Sequence, residues 1–75
     1  MTTRTQVTLF VRYREDWSPV FEEVAVERIH GNRYRLISLP SLLPELRAGD
    51  EFETIPGAGG LRYRLLRRSG SVRAL

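Results

Sequence analysis

Residues 20–39 read VFEEVAVERIHGNRYRLISL, and the fold turns on whether the first ten of them form a helix or a strand. A helix has a start signal: Ser18 as N-cap, Pro19 at the first helical position, and Glu22 and Glu23 in the early turns. Val20, Phe21, Val24, Ala25 and Ile29 would then line one face. A strand instead places Val24 and Val26 on one face and Ala25, Glu27 and Ile29 on the other. The following residues decide between them. Gly31-Asn32 is a glycine-led pair suited to a type II′ turn, which needs a strand on both sides. The run after it is rich in aromatic and branched residues. The sequence therefore predicts two strands joined at Gly31-Asn32, with a helix over 19–29 as the alternative.

The flanking segments agree with a β-rich chain. In QVTLFVRYR, Val7, Leu9, Val11 and Tyr13 alternate with Gln6, Thr8, Phe10, Arg12 and Arg14. That is the period of a half-buried strand, interrupted on its polar face by Phe10. EDWSP is a loop, because Asp, Ser and a residue before proline all favour turns. Its Trp17 is the sole tryptophan. It is expected to close an open end of the core, or else to face a ligand.

In LPSLLPELRAGDEFE, Ser41 caps a predicted helical turn near 41–48. Leu42, Leu43 and Leu46 point inward, and Gly49 stops the turn in the left-handed conformation. DEFETI sets Phe52 and Thr54 against Glu51, Glu53 and Ile55. LRYRLL sets Leu61, Tyr63 and Leu65 against Arg62 and Arg64, and the phase slips at Leu65-Leu66, the mark of a bulge or of the end of regular pairing. SGSVRAL is a last short strand or a frayed end. The predicted fold is all-β: a small barrel or rolled antiparallel sheet of five to six short strands in a single domain over 1–75. The alternative is α+β.

Composition narrows the function classes. A chain of 75 residues buries only about 60% of its unfolded surface and is marginally stable. It has no cysteine, hence no disulfide framework and no thiolate metal site, which suits a reducing, cytoplasmic setting. Apolar runs reach about three residues, against roughly 20 for a bilayer span, so no membrane partner is expected.

All 12 cations are arginine. Residues 1–54 carry a balance of −2 and residues 55–75 one of +5, which together give the net +3. Such asymmetry marks a surface for a polyanion or an acidic partner. It equally suits a chain that uses arginine at every solvated position. The candidate binding residues are Arg62, Arg64, Arg67 and Arg68 with Arg12 and Arg35, and Phe10 with Trp17 as an apolar patch. Tyr13, Tyr34 and Tyr63 lie beside arginines, but R-Y-R alternation turns each tyrosine away from them and into the core. Glu51 and Glu53 share a face and either pair with Arg62 and Arg64 across a hairpin or form an ordinary solvated face, ahead of a metal or catalytic pair.

No residue set has catalytic, cofactor-binding or metal-ligating spacing. PGAGG leads into a strand, and the chain has no lysine, so it is a turn and not a phosphate loop. His30 lies at the hairpin turn, with Glu27 close in sequence.

The run VERIHGNRYRLISLPSLLPELRAGDEFE resembles a small bacterial domain family of unknown function. The features are Gly31 in a turn, Tyr34-Arg35 in a strand that ends at Pro40, an apolar stretch, and Gly49-Asp50 before a strand. The resemblance covers roughly residues 22–54. Members are usually longer than this chain. It implies two strands over 20–39 and no particular activity. The expected function is a non-enzymatic protein-interaction or regulatory module, with a protein partner or self-association. The alternative is a nucleic-acid-binding small barrel that uses the basic C-terminal strand.

Overall fold

The structure is a computed structural model that describes residues 3–69. It is all-β. Five strands, β1 (Thr3–Tyr13), β2 (Pro19–His30), β3 (Arg33–Leu36), β4 (Glu51–Gly57) and β5 (Gly60–Arg67), form one antiparallel meander in sequence order. The decisive stretch is two strands. Gly31 has φ 56° and Asn32 has negative φ, the sign pattern of a type II′ turn. Asn32 then ties the turn to β4: its Nδ2 donates to the Thr54 carbonyl at 2.8 Å, and the Thr54 N–H donates to the Asn32 carbonyl at 3.0 Å.

The core lies on one face of the sheet. Val7 and Leu9 of β1, Val24 and Val26 of β2, Leu36 of β3 and Phe52 of β4 are buried together. Tyr34 and Tyr63 pack on them, with ring centroids 5.9 and 6.1 Å from Phe52. Alternation set Val7 with Leu9, Val24 with Val26 and Phe52 with Thr54, and turned Tyr34 and Tyr63 inward, and the structure agrees. The slip at Leu66 is also real: Phe52 faces Leu65 and Glu51 faces Arg67, so Leu66 bulges out.

The segment between β3 and β4 covers the core without a helix. Leu43 and Leu46 are buried, while Leu42 is exposed, contrary to expectation. In place of the helical turn there are two reverse turns. Leu46 N–H donates to the Leu43 carbonyl at 3.0 Å, and Asp50 N–H to the Arg47 carbonyl at 3.0 Å. Pro44 sits second in the first turn, where its fixed φ is favourable, and it disfavours the helical conformation for Leu43 before it. Gly49 does take a positive φ, 93°, within the second turn. The Glu22 carboxylate holds the segment to β2 by accepting the N–H groups of Ser41 and Leu42 at 2.6 and 2.7 Å.

Asp50 is fully buried. Its Oδ2 accepts the Arg47 N–H at 2.9 Å and its Oδ1 the Ser69 N–H at 2.6 Å. The Arg68 guanidinium lies 3.5 Å from Oδ2. This one carboxylate therefore pins the crossing segment to the end of β5.

The sheet is rolled and not closed into a barrel: β1 and β5 are its two edges, with no ladder between them. They come together where the β4–β5 turn and the start of β5 pack on Phe10. There a Cβ on Gly59 would come within 2.7 Å of the Phe10 ring and 2.8 Å of the Tyr13 hydroxyl. Glycine is what lets the β4–β5 turn approach this close. The predicted final segment lies, except for Ser69, outside the described residues.

Candidate functional site

The β1–β2 connection is a short, fixed loop. Trp17 N–H donates to the Arg14 carbonyl at 2.9 Å, and Arg14 N–H to the Ser18 carbonyl at 2.8 Å. This is a three-residue hairpin loop whose last position is left-handed, a position normally held by glycine. Here it is Trp17, at φ 68°, the sole non-glycine residue with positive φ among the described residues. Asp16 holds the loop: its Oδ1 accepts the Ser18 N–H at 3.0 Å and the Ser18 hydroxyl at 2.6 Å. Those bonds, the hydroxyl first, lower the pKa of the Asp16 carboxyl below its usual value.

Trp17 is not a lid on the core. It is 76% exposed. Among the described residues its one aromatic neighbour is Tyr13, with ring centroids 5.8 Å apart. Tyr13 in turn packs edge-on against Phe10 at 4.9 Å, and Phe10 against Phe21 at 6.3 Å. Phe10 is buried, while Tyr13 and Phe21 are partly exposed.

Tyr13 reaches this group because Val11 is a bulge. Phe10 faces Phe21, and Arg12 faces Val20. The extra residue flips the alternation, so Tyr13 leaves the core face on which simple period-2 counting placed it. Arg62 closes the group from β5. Its guanidinium carbon lies 4.4 Å from the Phe10 ring centroid, and Nη2 donates to the Ala58 carbonyl at 2.8 Å. The result is a buried phenylalanine capped by an arginine, with Tyr13, Trp17 and Phe21 displayed around it.

The other arginines are arranged differently. The outer face of the sheet carries a row that crosses every strand: Arg4, Glu27, Arg35, Glu51, Arg67, each facing the next in register. Arg4 lies 3.9 Å from Glu27, and Arg35 lies 3.3 Å from Glu27 and 3.1 Å from Glu51. The Arg35 guanidinium is held further above its usual range, chiefly by the Glu51 bond, against the opposing effect of burial. A second row sets Arg33 and Arg64 on either side of Glu53, and Arg64 is paired with Glu53. Each exposed pair contributes only about 0.2–1 kcal/mol.

Of the eight candidate residues, the structure gathers Phe10, Trp17 and Arg62 at one end. Arg35, Arg64 and Arg67 lie along the outer face among Glu27, Glu51 and Glu53. Arg68 turns to Asp50 and donates to the Glu45 carbonyl at 3.0 Å. Arg12 stands on β1 beside the bulge, facing Val20. The expected pairing of Glu51 and Glu53 with Arg62 and Arg64 holds for Glu53–Arg64. Glu51 instead takes Arg35, and Arg62 faces Ile55. The acid-free arginine face that a phosphate track demands is therefore interrupted by three carboxylates.

Tyr13 and Phe21 were not among the sequence candidates. One signal for them existed: Phe10 and Phe21 both break the polar face of their strands. His30 is exposed at its turn, as expected. Among the described residues there is no pocket, no group of three or more metal-ligating side chains, and no helix long and apolar enough to cross a membrane. No protein-family model, curated protein or solved structure matches this chain.

Proposed function

We propose that this chain is a non-enzymatic protein-interaction module that docks its partner on the aromatic end formed by Tyr13, Trp17 and Phe21. One observation carries the reading: Trp17 is held in a costly backbone conformation by a fixed loop, and the outcome is exposure, not burial. Strain of this kind is retained where function uses it. Exposed tryptophan and tyrosine on a rigid base are also what protein-binding hot spots are made of. Phe10 and Arg62 supply that base. Such a module fits a cytoplasmic protein without cysteine.

The nucleic-acid alternative draws support from Arg62 beside exposed rings, since bases stack on such rings. It loses support on the outer face, where Arg35 and Arg64 already answer carboxylates.

The test uses the immobilised chain in extract of its source cells, with Trp17→Ala and Arg67→Gln alongside. The expected result is a protein retained saturably by the wild type and by Arg67→Gln and lost with Trp17→Ala. In parallel, single-stranded oligonucleotides are titrated while the emission of Trp17 is followed. The proposal fails if no protein depends on Trp17. It fails equally if oligonucleotides quench that emission near physiological salt with a steep loss as salt rises.

A further inference from the structure

The two edges of the open sheet are unlike. β5 carries Arg62, Arg64 and Arg67 and bulges at Leu66. Both features deter the addition of another strand. The first eight residues of β1, Thr3–Phe10, run against β2 in unbroken register. They contain no proline, and Arg4 is their sole charge. Thr3, Arg4, Thr5, Gln6 and Thr8 are exposed, and threonine favours strands. No strand covers the outer edge of β1 among the described residues.

We propose that β1 pairs with β1 of a second copy, antiparallel and centred on Gln6, so that one sheet runs through both copies. A two-fold axis normal to the sheet keeps core face with core face, so the register is set by the residue on the axis. Charge selects among the choices. Centring on Arg4 sets two arginines opposite each other. Centring on Thr5 brings Arg4 opposite Gln6, which is backed on β2 by Ala25. Centring on Val7 brings it opposite Phe10, backed by Phe21.

Centring on Gln6 brings Arg4 opposite Thr8, which is backed by Glu23. Glu23 is exposed and enters no ion pair among the described residues. Arg4 is loosely engaged within its own copy, at 3.9 Å from Glu27 with a side chain 76% exposed. In the dimer each Arg4 lies between its own Glu27 and the second copy's Glu23. The alternating row then continues across the axis, twice by symmetry.

The absence of cysteine makes the register directly testable in the full chain. Facing residues of an antiparallel pair lie roughly 4.5–5.5 Å apart, within the range a disulfide bridges. Gln6→Cys should therefore form a disulfide-linked dimer under mild oxidation at least about tenfold faster than Thr8→Cys, whose two copies would stand roughly 14 Å apart along the strands. In light scattering and sedimentation, the wild type should show a concentration-dependent dimer. Thr8→Glu, which places a carboxylate opposite Arg4, should tighten it several-fold. Gln6→Glu, which opposes two carboxylates on the axis, should loosen it. These positions face solvent, and circular dichroism checks that each variant is folded. A monomer up to about millimolar concentration overturns the proposal, as does a dimer in which Gln6→Cys cross-links no faster than Thr8→Cys.

Discussion

Replacing Trp17 by glycine and by alanine separates display from packing. Trp17 is 76% exposed, so about a quarter of a side chain of roughly 250 Å² is covered. At about 25 cal/mol per Å² that cover contributes about 1.5 kcal/mol. Against it stands the left-handed backbone, which costs a non-glycine residue about 1–2 kcal/mol. Alanine loses the cover and keeps the strain, so Trp17→Ala should destabilise by about 1.5 kcal/mol. Glycine also loses the cover, but it relieves the strain at an entropic cost of about 0.5–1 kcal/mol.

Trp17→Gly should therefore lie within about 1 kcal/mol of the wild type and above Trp17→Ala by about 0.5–1 kcal/mol. For a domain of this size that is a difference in Tm of about 2–8 °C. Urea and thermal unfolding followed by far-ultraviolet circular dichroism measure it, since the fluorescent probe is itself removed. A tryptophan that closes the core predicts the reverse: losses of about 3–5 kcal/mol in both variants, with glycine the worse of the two. That pattern would refute the display argument and with it the proposed docking end.

Two further outcomes follow from the crossing segment. Asp50→Asn keeps one acceptor and turns an NH2 toward a part-buried N–H, of Arg47 or of Ser69. It should cost about 2–3 kcal/mol, visible as a fall in Tm of about 8–24 °C, and a loss below about 1 kcal/mol would show that the clasp is not structural. Burial first, and then the bond it donates to Glu45, hold the Tyr63 hydroxyl above its ordinary pKa of 10.0. A raised pKa gives stability that is present below pH 10 and is lost as pH climbs through the folded value. Alkaline unfolding beginning above about pH 10 should therefore be shallower in Tyr63→Phe, and an unchanged profile would sink the assignment.

The strands were legible because their signals are local. Gly31-Asn32 announces its hairpin, Phe52 and Thr54 alternate with acids, and Leu65-Leu66 betrays the bulge in β5. The bulge at Val11 was hidden because FVRYR alternates equally well with or without it, and only pairing with Phe21 and Val20 reveals the slip. The tryptophan was misplaced because size argues for burial, while its position in a three-residue loop argues for exposure. Loop geometry is set by Arg14 and Ser18 across the hairpin, which sequence proximity alone does not weigh. Asp50 looked like the start of a strand. Its buried role depends on Ser69, far along the chain. The arginines were the hardest to assign, since their partners Glu27, Glu51 and Glu53 lie on neighbouring strands.

The meander has a kinetic seam. Two of its connections are two-residue turns, whereas the one between β3 and β4 takes about 14 residues. Closing it costs about 1.7 kcal/mol more in chain entropy than closing a tight turn. The β3–β4 register that repays this is the shortest in the sheet, Arg33–Arg35 against Glu51–Glu53. In time, then, the chain is expected to behave as two pieces, a three-stranded piece through Leu36 and a hairpin from Glu51, that join last along the line where arginine and glutamate alternate.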